Sequence, residues 1–97
     1  MSGSLEPLIV DIDLSILGQP RDVFERYEDQ IRDEYAWATP ASFAVGRCCV
    51  LQAFIDRTSI YRLKRFRSRY EKVARENLAW AIERQSKMLQ QTDRHEL

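Results

Sequence analysis

The segment Asp11-Ile-Asp-Leu-Ser-Ile-Leu-Gly18 is the most informative part of this sequence, because it reads as a short apolar helix that carries carboxylates and ends at a glycine. At 100° per residue, a helix over residues 8–17 gathers its aliphatic side chains on one broad face, and Asp13 falls near the middle of that face. Asp11 points the other way. A buried carboxylate needs a metal, an arginine or several donors, so the pattern predicts that Asp13 has such a partner.

Helical periodicity continues through the rest of the chain. Pro20 suits the entry to a second helix over 21–36, in which apolar side chains recur every fourth residue. Thr39 can cap a third helix over 40–56, which is apolar almost all round and which we expect to be the central one. A long last helix is predicted over 62–90.

These patterns predict an all-α fold with four helices in an orthogonal or bundle-like arrangement. The first helix is short, two lie in the middle, and the last is long. We expect a disordered N-terminal tail over 1–7, a single helical domain over 8–90 and a frayed C-terminal tail over 91–97.

The composition is that of an ordinary globular protein. Of the 97 residues, 44% are hydrophobic and 31% are charged, which differs from the composition of disordered chains. We find neither a long apolar stretch nor a secretory signal, so no membrane association is predicted. Cys48 and Cys49 are adjacent, and neighbouring side chains on a helix diverge too far for an intrachain disulfide. A reducing cytoplasm is therefore the expected location.

The formal charge is zero but unevenly distributed. Residues 1–38 hold nine acids against three bases, whereas residues 62–75 hold seven bases against Glu71 alone. The favoured interpretation is a solvated helix face or attraction within the molecule, and nucleic acid is an unlikely partner because the first half is acidic. Contact with an anionic nucleotide or lipid is a further alternative. The candidates for phosphate contact are Arg62, Lys64, Arg65 and Arg69.

Arg47 is the natural complement to a buried carboxylate. On the wheel of the third helix it falls among apolar positions, so its guanidinium needs an anion or carbonyl groups. The sequence favours a buried ion pair between Asp13 and Arg47, with solvation of these charges through imperfect packing and metal ligation by Asp13 as alternatives. The carboxylates of the second helix, including Glu28, are expected to form a solvated face.

Several segments together resemble the C-terminal half of the predicted metal-dependent HD-superfamily phosphohydrolases, over about residues 8–85. These segments are Asp11 to Gly18, Ile31-Arg-Asp-Glu-Tyr35, Gly46-Arg47, Ile60-Tyr-Arg62 and Ala74-Arg-Glu-Asn-Leu78. The resemblance implies an HD-domain-like fragment, in which a metal is held by a His, a His-Asp pair and a later Asp. Asp13 matches that later Asp best, and Asp11 is the second choice. The His elements belong upstream of this motif, whereas the only histidine here is His95.

Because the resemblance lacks those histidines, it predicts an assembly module. We expect this chain alone to be non-catalytic rather than an enzyme. We expect a homodimer or docking to a separate chain that carries the HD motif. The last helix supplies the predicted interface, and the isolated chain needs no cofactor. One alternative is a metal-dependent phosphohydrolase completed by a His-bearing partner, with a divalent metal. A second is a nucleotide or nucleic-acid binder that uses residues 62–75. The predicted interface residues are Phe66, Tyr70, Val73 and Leu78.

Overall fold

Residues 6–96 fold into four α-helices. The structure, a computed structural model, describes the backbone of residues 6–96 and the side chains of residues 7–91. Within that range no strand occurs, and the prediction of an all-α, four-helix arrangement is confirmed. The helices are α1 (Glu6–Leu14), α2 (Arg21–Glu34), α3 (Pro40–Ile55) and α4 (Lys64–Glu96), and a 3-10 turn (Ser15–Gly18) follows α1.

The helix ends differ modestly from those expected. Glu6 and Pro7 belong to α1, while residues 1–5 of the predicted tail lie outside the described part of the chain. The last helix continues to Glu96, through most of the segment that we expected to be frayed. Thr39 caps α3 as predicted, since its side chain accepts a hydrogen bond from the backbone of Ser42 at 3.1 Å.

Helix α4 is the longest element of the structure. Its 33 residues span about 50 Å, which accounts for most of the 56 Å long dimension. The 3-10 turn packs along the first half of α4, and the hydroxyl of Tyr61, in the loop before α4, donates to the carbonyl of Leu14 at 2.8 Å. Helix α3 runs back along α4, because Ile55 lies near Arg75 while Phe43 and Gln85 line one cleft.

Our expectation that α3 is the central helix is wrong. The other elements pack on α4 instead, and α3 leaves Val45 and Val50 exposed although its sequence is apolar nearly all round. The core forms where the 3-10 turn, α2 and α3 meet α4, and Phe24 lies edge-on to Trp80 there. Its fully buried members are Leu17, Phe24, Leu51, Ile60, Tyr61, Ala74, Leu78 and Ala81.

Candidate functional site

The burial of the two aspartates of the first helix is the reverse of what the sequence predicts. Asp11 is fully buried, and its carboxylate accepts hydrogen bonds from the backbone N–H groups of Arg62 (2.9 Å) and Leu63 (2.7 Å). Asp13 is exposed. The predicted burial is wrong because the apolar arc of α1 is too broad to define its rotation, and unpaired amides before α4 attract the carboxylate on the other side.

Neither aspartate is part of a metal-ligand cluster. Both carboxylate oxygens of Asp11 are used by backbone donors, and Asp13 faces solvent. Among the described side chains, no three His, Cys, Asp or Glu residues are close enough together to hold a metal ion. A divalent cation at Asp13 would therefore need ligands from outside this part of the chain.

Arg47 pairs with Glu28, so the predicted pair with Asp13 is wrong. The Arg47 Nε donates to Glu28 Oε1 at 3.1 Å, and its Nη2 donates to Oε2. Only 12% of the Arg47 side chain and 4% of the Glu28 side chain are exposed, so this bidentate pair joins α2 to α3 inside the molecule. The sequence held a signal for it. Glu28 lies four residues after buried Phe24, on the inner face of α2 and away from the solvated carboxylates.

Two arginines of residues 62–75 form hydrogen bonds with the loop between α3 and α4. Arg75 donates to the carbonyls of Ile55 (3.0 Å) and Arg57 (2.8 Å), and it pairs with Glu71 at 2.8 Å. Both Glu71 carboxylate oxygens accept from the Ile60 backbone N–H at 3.0 Å. Arg67 likewise donates to two loop carbonyls, those of residues 61 and 62. These bases are therefore structural and are not free to bind a ligand.

Asn77 joins α4 to the 3-10 turn and to α2. It is buried, and its amide donates to the carbonyls of Leu17 (2.9 Å) and Gln19 (2.8 Å) and accepts from the Nε of Arg21 (2.7 Å). Asn77 and Arg75, like Asp11, belong to segments on which the HD-like resemblance depends. Each of them has a structural role in this fold.

An apolar groove lies between the end of α2 and the start of α3, and we call it the α2–α3 groove. Its volume is about 350 Å³. Trp37 stands at its edge with 80% of its surface exposed, and its ring lies 5.8 Å from that of Tyr35. The helical spacing of these aromatic residues does not distinguish a core position from an interface position. The lining consists of Ile31, Tyr35, Trp37, Ala38, Ser42, Phe43, Gly46, Arg47 and Val50.

The first turns of α4 carry a basic surface, which we call the basic shelf. Beside it, a shallow cleft of about 340 Å³ is lined by two arginines and the rings of Phe66 and Tyr70. The Arg65 guanidinium lies 5.6 Å from the centre of the Phe66 ring, and that of Arg69 lies 5.4 Å from the Tyr70 ring. The exposed cations of the shelf are Arg62, Lys64, Arg65, Arg69 and Lys72.

The interface predicted on α4 is largely internal. Leu78 is fully buried, while Phe66 and Tyr70 are partly buried and pack against the core of the same chain. Of the four predicted residues, only Val73 is exposed. Most of the apolar stripe of α4 packs within the molecule, against the 3-10 turn and α3.

The cysteines show no sign of nucleophile activation. Cys48 is half-buried and Cys49 is exposed, and both are free thiols. Burial raises the pKa of the Cys48 thiol, an effect that a hydrogen bond with Ser86 only partly opposes. A raised pKa lowers the fraction of reactive thiolate at neutral pH.

Comparisons with protein-family models, with curated proteins and with solved structures find no match to this chain. Among the helices of residues 6–96, none combines the length and the apolar character needed to cross a bilayer.

Proposed function

We propose that this chain is a non-catalytic helical assembly module that binds a second copy of itself through the α2–α3 groove. The observation that carries the proposal is the exposure of Trp37, 80% of whose surface faces solvent beside an apolar groove. Tryptophan is the residue type most often found at the energetic centre of interfaces. A large exposed apolar patch typically marks such a surface.

Side-chain contacts fix the shape of the groove. Arg32 donates to the carbonyls of Tyr35 (2.9 Å) and Ala38 (3.2 Å), so the turn that carries Trp37 is tied to the end of α2. The same guanidinium lies 4.8 Å from the centre of the Phe43 ring, in the groove wall. Binding to such a preorganised surface costs less conformational entropy than binding to a mobile one.

A second copy suits the groove because each molecule carries both halves of the contact. Trp37 projects from the edge, and the adjacent groove has a volume in the range of pockets that accept a bulky side chain. A two-fold dimer can therefore insert each indole into the groove of the other copy. Arg47, in the wall, is already paired with Glu28, so the contact buries no unpaired charge there.

Light scattering behind a sizing column tests this function. At about 50 μM the wild-type chain is expected to elute as a dimer, and Trp37→Ser as a monomer with an unchanged helical spectrum. Ile9→Ser is the matched control, since Ile9 is an exposed apolar residue on α1, outside the groove. A monomeric wild-type mass, or a dimer lost in Ile9→Ser but kept in Trp37→Ser, would contradict the proposal.

A second candidate function is suggested by the outer face of α1. Ile9, Ile12 and Asp13 are all exposed and lie within one turn of each other. An apolar face with one carboxylate suits the docking of a His-bearing chain that completes a metal-dependent phosphohydrolase, as the HD-like resemblance implies. The test is to co-express a neighbouring reading frame that encodes a His and a His-Asp pair. Manganese-dependent phosphatase activity that Asp13→Asn abolishes would support this function.

A further inference from the structure

The basic shelf places positive charge where a helix favours negative charge. The first turn of α4 contains Lys64 and Arg65 and no acid, and Arg62 lies two residues before it. The N-terminus of a helix carries a partial positive charge, so these cations add to it rather than offset it. The buried carboxylate of Asp11 is nearby and accepts hydrogen bonds from the backbone N–H groups of Arg62 and Leu63, so its charge offsets part of the partial charge of this helix end.

Within the described part of the chain, the acids of the first half form no ion pair with the exposed cations of the shelf. This agrees with the solvated-face part of the favoured interpretation and not with attraction within the molecule. On α2, three of the six carboxylates pair elsewhere: Asp22 with Arg26, Glu28 with Arg47, and Asp29 with Arg84. Among the described side chains, no acid lies within ion-pair distance of any of the five exposed cations of the shelf. The bases of residues 62–75 thus divide into two structural arginines and five exposed cations.

The shelf has the layout of a strand-binding surface. Arg65, Arg69 and Lys72 recur every three or four residues on α4, which sets them along one side of the helix over about 10 Å, roughly one turn apart. Arg62 lies in the bend just before this helix. Beside this stripe, the guanidinium groups of Arg65 and Arg69 lie over the rings of Phe66 and Tyr70. The core holds those rings in place, so the guanidinium groups have a fixed support.

We infer that the basic shelf binds single-stranded nucleic acid. Successive phosphates of one strand would contact the cations of the stripe, and flexible bases would stack on the guanidinium and aromatic faces of the adjoining cleft. The narrow stripe on a single helix favours one strand over a duplex, whose two backbones need a broader basic surface. The shelf and the α2–α3 groove share no residue, so this inference is independent of the proposed assembly function.

Fluorescence anisotropy with a labelled single-stranded oligonucleotide tests the inference. About four phosphate contacts predict a slope near −3 in a plot of log affinity against log salt concentration. Arg65→Glu/Arg69→Glu is expected to weaken binding at least tenfold, with an unchanged thermal melt. The matched control is Arg26→Glu/Lys87→Glu, which makes the same change of net charge at two exposed positions on α2 and on the second half of α4.

Four outcomes would overturn the inference. The first is no binding at low salt, and the second is an equal loss in the shelf variant and the control. The third is an equal or higher affinity for a duplex of the same sequence. Light scattering on the same variants covers the competing occupant, the acidic α2 of a second copy. A shelf variant that loses the dimer and keeps oligonucleotide affinity is the fourth such outcome, because it would assign the shelf to self-association and exclude it as the oligonucleotide site.

Discussion

At the scale of single residues, the buried charged side chains of this protein join segments that are distant in the sequence. Asp11 satisfies the backbone amides that precede α4, and Glu28 neutralises Arg47 between α2 and α3. Each of these two carboxylates accepts two hydrogen bonds. No described buried side-chain nitrogen or oxygen lacks a hydrogen-bond partner.

Removing the Asp11 carboxylate should destabilise the fold much more than removing that of Asp13. Asp11→Ala leaves the N–H groups of Arg62 and Leu63 without their acceptor, at a cost of about 2–4 kcal/mol in the free energy of unfolding. Asp13→Ala removes an exposed side chain and should melt like the wild type. Urea melts of the two variants give the comparison, and equal losses would show that Asp11 is not the cap of this segment.

Glu28 and Arg47 should show strong energetic coupling. Glu28→Ala or Arg47→Ala leaves one buried charge unpaired, which costs about 3–5 kcal/mol, while the double variant should cost less than the sum. Asp22 and Arg26 offer a control pair, because their side chains are 77% and 74% exposed. A double-mutant cycle in urea measures both couplings. Additive effects of the Glu28 and Arg47 changes would contradict the buried pair.

At the scale of elements, the molecule is joined by close contacts between the 3-10 turn and α4. Gly18 packs directly on Tyr70, and Asn77 binds the carbonyls of Leu17 and Gln19 from the next turns of α4. The 3-10 turn is therefore positioned by side chains of α4, although its own sequence reads as the end of an amphipathic helix.

The two described glycines should respond to alanine in opposite directions. A Cβ atom at Gly18 would lie 2.6 Å from the Cβ of Tyr70, which cannot rotate away, so Gly18→Ala should push the turn off α4 at a cost of about 1–3 kcal/mol. A Cβ atom at Gly46 meets nothing within 4 Å. Gly46→Ala should therefore stabilise α3 by about 0.5–1 kcal/mol. Thermal melts distinguish the signs, and a stabilising Gly18→Ala would refute the close packing.

Tyr61 should make stability fall at high pH. Burial, with a smaller effect of the Glu71 charge, raises the pKa of the Tyr61 phenol above its usual value of 10.0. Because the folded-state pKa exceeds the unfolded one, the stabilisation is complete below pH 10 and is lost as the pH rises above it. Tyr61→Phe should cost about 1 kcal/mol at neutral pH through the lost bond to Leu14 and weaken the alkaline decline. Urea midpoints from pH 8 to 11 give the comparison, and parallel curves would contradict it.

At the scale of the whole molecule, one long helix, α4, is accompanied by four shorter elements. The surfaces that remain exposed are chemically distinct. The α2–α3 groove is apolar, the outer face of α1 carries two isoleucines beside Asp13, and the basic shelf is cationic. Helix α4 packs most of its described apolar side chains against the core, whereas Val73 and Met88 are exposed.

The chain alone should bind no divalent metal tightly. A stoichiometric site needs several ligands brought together from different elements, whereas the oxygens of Asp11 are occupied and Asp13 is exposed without a ligand cluster. His95 lies outside the described side chains. Calorimetric titration with Mn²⁺, Fe²⁺ or Zn²⁺ is expected to show no site of micromolar affinity. Such a site, lost in Asp13→Ala, would contradict the prediction.

The sequence by itself determined the number, order and type of the helices. Helical periodicity and end signals such as Thr39-Pro40 act within a few residues, so they are visible without the fold. The wheel of α3 likewise showed that Arg47 needs an anion. Only the tertiary structure decided which acid that is, because several carboxylates were available and the choice depends on which helices are neighbours. It also decided between Asp11 and Asp13. An apolar arc as broad as that of α1 allows several rotations, and the amides of residues 62 and 63, about fifty positions away, select one of them.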